Sequence, residues 1–270
     1  MIDVHFDAGR VPDYSGKHVQ QLYLLRYAYA YAFEYKSIYR KLWSRMQHNN
    51  SIKVTSIGCG ALIDYWSLAH VVNDDCEITY CGIDAVDWSY KFPRRKKDNV
   101  TYAIGNAIEL LGRSPCFSSD VYVFPKSISE FSVLDVQKLS TYFSADSLTK
   151  DTVHFVITLR ADADNKADDM KKASILYQRM IDCGFHSEDE NNVCYRFSDE
   201  NRGKKIQQVD NDFSHPWAVV NYLNDLYGKC SNRSTCGKSN SCEKRLGRMP
   251  ILNCQYTIGQ IFTFYRGKAL

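Results

Sequence analysis

Val54-Thr-Ser-Ile-Gly-Cys-Gly-Ala-Leu-Ile-Asp64 is the stretch whose reading decides the fold. An apolar, β-forming run enters a turn with glycines at 58 and 60. A helical stretch follows from Leu62 to Val72. A second apolar run, Glu77-Ile-Thr-Tyr-Cys-Gly-Ile-Asp84, then ends in an acid. Strand, glycine turn, helix, strand and acid make half of a nucleotide-binding α/β unit. Glycines let the backbone approach a ligand, and a terminal acid can accept from both hydroxyls of a ribose.

The pattern also excludes relatives of that unit. A dinucleotide fold needs a third small residue for close helix packing, and Ile63 stands where it would fall. No Gly-Lys-Ser/Thr phosphate loop is present. With Ile57-Gly58-Cys59-Gly60 and Gly82-Ile83-Asp84 read together, the sequence resembles the class I S-adenosylmethionine-dependent methyltransferases over roughly residues 52 to 162. Their ligand has no pyrophosphate and suits a looser turn. Three positions depart from the family pattern: Ser56 replaces an acid, Leu62 a third glycine, and Asn106 the acid of a Gly-Asp-Ala turn. The resemblance implies a cofactor site built from Ser56, Gly58, Cys59, Gly60, Ala61, Asp84, Ala85, Asn106, Ala107 and Phe124. Asp84 would take the ribose and Gly105-Asn106-Ala107 the adenine.

Outward from this unit, β-type runs at 53–58, 78–83, 100–104, 120–124 and 152–159 alternate with helical stretches at 62–72, 106–112, 132–144 and 167–183. That alternation predicts a Rossmann-like, mostly parallel sheet with helices on both faces. A sixth strand is expected at Val193–Phe197, and Tyr256 to Tyr265 should close the sheet. Residues 51–270 are thus expected to form one α/β domain with a cysteine-rich insertion at about 228–254. Residues 1–50 form an arm and a helix. That helix, from about His18 to Gln47, has no Gly or Pro. Leu22, Leu25, Tyr29, Ala32 and Phe33 recur at helical spacing, with Tyr27, Tyr31, Tyr35 and Ile38 beside them. It either packs on the sheet or serves as a lid, with Arg26, Tyr27 or Tyr31 reaching the site.

Composition is that of an ordinary globular protein, 44% hydrophobic and 24% charged. Tyrosine is enriched, at 19 against 13 Phe, which favours half-buried surfaces with a wet hydroxyl. A net charge of +3 does not by itself imply nucleic acid. Neither a membrane span nor a signal peptide is evident, so a cytoplasmic setting with reduced thiols is expected.

Cys230-x5-Cys236-x5-Cys242-x11-Cys254 falls in a polar segment unsuited to a hydrophobic core. Four thiolates in such a loop can wrap a metal, zinc first and an iron–sulfur cluster second. Free thiols are the plain alternative. The same segment carries Lys229, Arg233, Lys238, Lys244, Arg245 and Arg248 against Glu243 alone. Arg94-Arg-Lys-Lys97 adds a second basic run. These suit a phosphate backbone, so RNA is the expected partner, with solvated surface as the plain alternative.

Methyl transfer needs alignment more than any universal base. In the resembled family the acceptor is often met after the fourth strand, here Phe124-Pro-Lys-Ser-Ile-Ser-Glu130. Lys126, Ser127 and Glu130 are its polar groups, with Tyr27 and Tyr31 as acceptor-side partners from the helix. The Asn/Asp-Pro-Pro-Tyr/Phe pattern of amine-methylating base enzymes is absent. A small-molecule methyltransferase, a non-catalytic cofactor-binding module and an aminocarboxypropyl transferase remain alternatives.

Overall fold

The structure is a computed structural model and describes residues 13–46, 50–113, 117–160, 163–195 and 259–267, with short pieces between 221 and 235. Five strands, β1 (Ser51–Ile57), β2 (Glu77–Asp84), β3 (Asn99–Ile104), β4 (Val121–Phe124) and β5 (Thr152–Thr158), are joined through helices. These are α2 (Ile63–Ala69), α3 (Ala107–Gly112) and α4 (Val133–Ser140); β2 alone passes to β3 without a helix. Helix α1 (Lys17–Trp43) precedes them, and α5 (Ala163–Asp182), β6 (Phe185–His186) and β7 (Gly259–Arg266) follow. The strand order is β3-β2-β1-β4-β5-β7-β6. Strands β1 to β5 pair in parallel, and β7 runs antiparallel between β5 and β6.

Alternation along the strands splits the core into two layers. Val121 and Val123 of β4 face α1 and α2, whereas Tyr122 and Phe124 face α4 and α5. Val156 of β5 joins the first layer, and Val153, Phe155 and Ile157 the second. Central strands buried on both sides read as continuous apolar runs, as Val121-Tyr-Val-Phe124 does. Asn106 caps α3 by accepting from the Ile108 and Glu109 amides. Ser132 and Asp135 form a reciprocal capping box that starts α4.

Two expectations are corrected. The sixth strand lies at Phe185–His186, ahead of the expected Val193–Phe197; of that stretch Tyr195 bridges Gly259, and Arg196 and Phe197 lie outside the described residues. The last strand does not close an edge; it is inserted between β5 and β6. The buried face of α1 follows Tyr27, Tyr31, Tyr35 and Ile38, while Leu25 of the other line is 47% exposed. Along the tyrosine line each ring packs on the next one turn along, Tyr27 stacked on Tyr31 and Tyr31 tilted against Tyr35, giving an aromatic ridge on a helix that packs against α2. No helix among the described residues is long and apolar enough to cross a membrane.

Candidate functional site

Strand order reverses between β1 and β4, so their carboxyl ends diverge into a crevice, the usual place for a ligand in an open α/β sheet. The β1–α2 turn lines it. Gly58 and Gly60 have φ of 76° and 53°, conformations that glycine adopts without strain. Leu62, where the resembled family has a glycine, keeps the left-handed backbone at φ 66°, ψ 31°, with its side chain buried in the α1–α2 core. The apolar contact offsets the backbone cost, so the turn retains its shape without the third glycine. Cys59 is buried against Gly82, and burial pushes its thiol up. It is a packing residue rather than a nucleophile.

Ser56 is turned inward. Its hydroxyl donates to Asp64 Oδ2 at 2.6 Å, and the Tyr80 hydroxyl donates to the same carboxylate at 2.8 Å. All three are buried. Burial pushes Asp64 up to about 6, with the Ser56 and Tyr80 donors pulling the other way. A buried carboxylate beneath the turn thus comes from Asp64, eight residues after the serine that replaces an acid. Its one signal in the sequence was an acid in the first turn of an otherwise apolar helix.

Asp84 closes the other side of the turn. Its Oδ2 accepts from the Gly60 amide at 2.7 Å and its Oδ1 from the Val86 amide at 2.9 Å. Burial raises its pKa, while those two amides favour the carboxylate. Each oxygen retains acceptor capacity beyond its one backbone bond. Ala85 is exposed beside it, and the Gly105 amide donates to the Asp84 carbonyl at 2.9 Å. Asn106 is exposed, with its side-chain oxygen committed to capping α3; Ala107 is buried against that helix. Phe124, the last residue of β4, is fully buried in the α4–α5 core layer.

The β4 loop brings Lys126, Ser127 and Glu130 to the same end of the sheet, with different roles. Lys126 Nζ pairs with buried Glu34 of α1 at 2.6 Å and lies 4.9 Å from the Tyr31 ring centroid. Its amide donates to Thr158 Oγ1 at 2.6 Å. The lysine is a strut joining α1, β4 and β5. Ser127 is buried, and its hydroxyl donates to the Ile57 carbonyl, tying β4 to β1 across the switch point. Glu130 is the most exposed of the three, yet protein crowds it closely, which places it in a cleft. That crowding, and then the Asp84 charge, push Glu130 up to about 7.

Tyr27 and Tyr31 are inner rungs of the α1 ladder, with centroids 5.1 Å apart. The rungs at the cleft end are residues the sequence did not single out. Tyr14 packs on Tyr23 at 5.2 Å and on Trp88 at 5.5 Å, and Trp88 lies over Gly60. Arg26 sits beside the Tyr27 ring. Arg95, from the second basic run, is bound to Asp98 and to the Cys76 carbonyl and so anchors the β2–β3 connection. Of the four cysteines, Cys230 is exposed, and Cys236, Cys242 and Cys254 lie outside the described residues. Among the described residues no cluster of metal-ligating side chains is present.

No known family and no curated sequence matches the chain. Solved structures that resemble it include a SAM-dependent methyltransferase from Archaeoglobus fulgidus (13% identity, TM-score 0.40, 85% of this chain and 92% of that one). A cyclopropane-fatty-acyl-phospholipid synthase-like protein from Lactobacillus casei matches at 16% identity and TM-score 0.42, over 86% of this chain and 90% of that one. MnmC2 from Aquifex aeolicus matches at 10% identity and TM-score 0.36, with 58% of this chain spanning 57% of it. These are distant likenesses, and the residues of the site carry the chemistry. Its strand order and the place of its crevice give the chain a Rossmann-like, mostly parallel α/β fold.

Proposed function

We propose that this protein binds S-adenosylmethionine at the carboxyl ends of β1, β2 and β3 and transfers its methyl group. The observation that carries this reading is Asp84, fixed by the Gly60 and Val86 amides at the mouth of the switch-point crevice with acceptor capacity to spare. The residues suit the ligand. Asp84 would hold the ribose hydroxyls, and the Gly58–Ala61 backbone would flank the amino-acid arm. A rim of Asp84, Glu130 and tyrosine rings favours a cationic sulfonium. Bound there, the sulfonium supplies an electrophilic methyl carbon for in-line displacement. The chain's own part is to orient the acceptor and to exclude water, and the Tyr14–Trp88–Tyr23 cluster beside Gly60 suits the second task.

Calorimetry with S-adenosylmethionine and S-adenosylhomocysteine tests the site. Asp84→Ala removes two charge-assisted hydrogen bonds, each worth roughly 1.5–3 kcal/mol. Unchanged cofactor affinity in that variant would remove the assignment. A methyl-transfer assay on cell extract separates an enzyme from a binding module. For the acceptor we favour RNA, on the six basic residues between Lys229 and Arg248. Replacing Arg233, Lys238, Lys244 and Arg245 with Ala should weaken salt-sensitive RNA binding and spare the cofactor. RNA affinity that ignores both changes would redirect the search to small molecules.

A further inference from the structure

Four separate parts of the chain meet at the cleft beside Asp84. The segment before α1 brings Tyr14, α1 brings Tyr23 and Tyr31, the end of β2 brings Asp84, and the turn after β4 brings Glu130. Tyr14 is within electrostatic reach of Glu130, Tyr31, Tyr27 and Asp84, and Tyr23 of Tyr31, Tyr14 and Glu130. Two groups here are unspent. The Tyr14 hydroxyl is buried and has no hydrogen-bond partner among the described residues. Among the described residues the Glu130 carboxylate accepts no hydrogen bond and pairs with no cation. Neighbouring cations are engaged elsewhere: Lys126 with Glu34, Lys172 with Asp168 at 2.7 Å, and Lys91 with Asp87 at 3.0 Å. Glu130 is also held firmly in place. Ser129 Oγ bonds the Lys126 carbonyl, Lys172 Nζ reaches the Ser129 carbonyl, and the Glu130 amide bonds the Ser127 carbonyl.

We propose that Glu130 is the proton acceptor of the methyl-transfer step and that Tyr14 orients the group that loses the proton. This rests on the crevice being the S-adenosylmethionine site. The acceptor then presents an N–H or O–H nucleophile. Its lone pair forms the bond to the methyl carbon, the carbon–sulfur bond breaks with its electrons returning to sulfur, and the released proton passes to the Glu130 carboxylate. The class of reacting group is therefore a neutral amine or a hydroxyl. A carboxylate or phosphate at this point would face the Asp84 and Glu130 carboxylates, with Lys91, Lys126 and Lys172 already paired. Crowding and the Asp84 charge make Glu130 a stronger base than a solvated glutamate, poised near neutral pH.

The test does not require the natural acceptor. Sinefungin replaces the methylsulfonium with an amine-bearing carbon, so its ammonium probes the place where the acceptor meets the methyl. By calorimetry at pH 8, the wild-type protein should bind sinefungin at least about tenfold more tightly than S-adenosylhomocysteine, as one charge-assisted hydrogen bond would give. The preference should shrink as pH falls through about 7. Glu130→Gln should abolish both the preference and its pH dependence while S-adenosylhomocysteine affinity stays within about threefold. Glu130→Asp, which keeps the charge, should retain part of the preference, and Tyr14→Phe should reduce it. A wild-type preference surviving in Glu130→Gln would overturn the assignment and leave the cofactor site standing. A wild-type protein that binds neither compound would overturn both.

Discussion

Ser127 lies so close to Gly58 that a β-carbon added at residue 58 would collide with the Ser127 β-carbon. The contact sits where β1 and β4 part, and the Ser127 hydroxyl spans it to the Ile57 carbonyl. Gly58 therefore meets two demands, a φ of 76° and room for the β4 loop. Gly58→Ala should cost roughly 2–5 kcal/mol, the sum of a left-handed alanine and an overpacked contact. Gly58→Ala/Ser127→Gly should recover the contact part and leave roughly 1–2 kcal/mol for the backbone. Chemical denaturation of both variants measures this. Equal losses in the two would show that the contact is unimportant.

The ion pair between Lys126 and Glu34 ties the same loop to α1, with Glu34 fully buried. Lys126→Ala would remove the cation that pairs with a buried carboxylate, at a cost of up to roughly 3–5 kcal/mol. Adding Glu34→Gln should return much of that loss. A single variant as stable as the parent would mean that solvent reaches Glu34 readily.

Much of this arrangement was legible because period and punctuation agree. The five parallel strands and their helices fall within a few residues of the apolar runs, and Gly58, Gly60 and Asp84 mark the crevice without any coordinates. Side-chain commitment was not legible. Ser56 looks like a turn residue until Asp64 takes its hydroxyl, and Lys126 looks like a loop lysine until Glu34 arrives from a helix far back in the chain. Tyr14 carries no sequence signal at all, because its role depends on Trp88 and Glu130 converging from distant segments. The short sixth strand escaped for a similar reason: two residues have no period, and only pairing with β7 defines them.

The spacing of Cys230, Cys236, Cys242 and Cys254 supports one bound zinc, a proposal that rests on the sequence. Protein purified without added metal should contain about one zinc per chain by elemental analysis. A chelator should release it with a loss of stability, since closing such a polar loop depends on the metal. Iron and sulfide would favour a cluster. Four freely titrating thiols with no metal would end the proposal.

Two buried groups should oppose each other in acid. Asp64 is raised from 3.8 to about 6 in the fold. Its protonated form is the better folded partner, so its contribution is full below about 4 and is lost as pH rises through about 6. His154, buried and bonded to Thr263 Oγ1 at 3.1 Å, is lowered from 6.5 to about 4. Burial is the main cause and Arg45 adds to it, so its contribution is present above 6.5 and is lost as pH falls through about 4. Between pH 4 and 6 the two slopes have opposite sign and partly cancel. Asp64→Asn should therefore steepen the loss of stability on acidification over that window. His154→Gln should reverse the slope, making the protein relatively more stable at pH 4.5 than at pH 6.5. Denaturation midpoints across this range, measured for parent and both variants, decide the matter. Variants whose pH profiles simply parallel the parent's would show that neither group titrates differently in the folded chain.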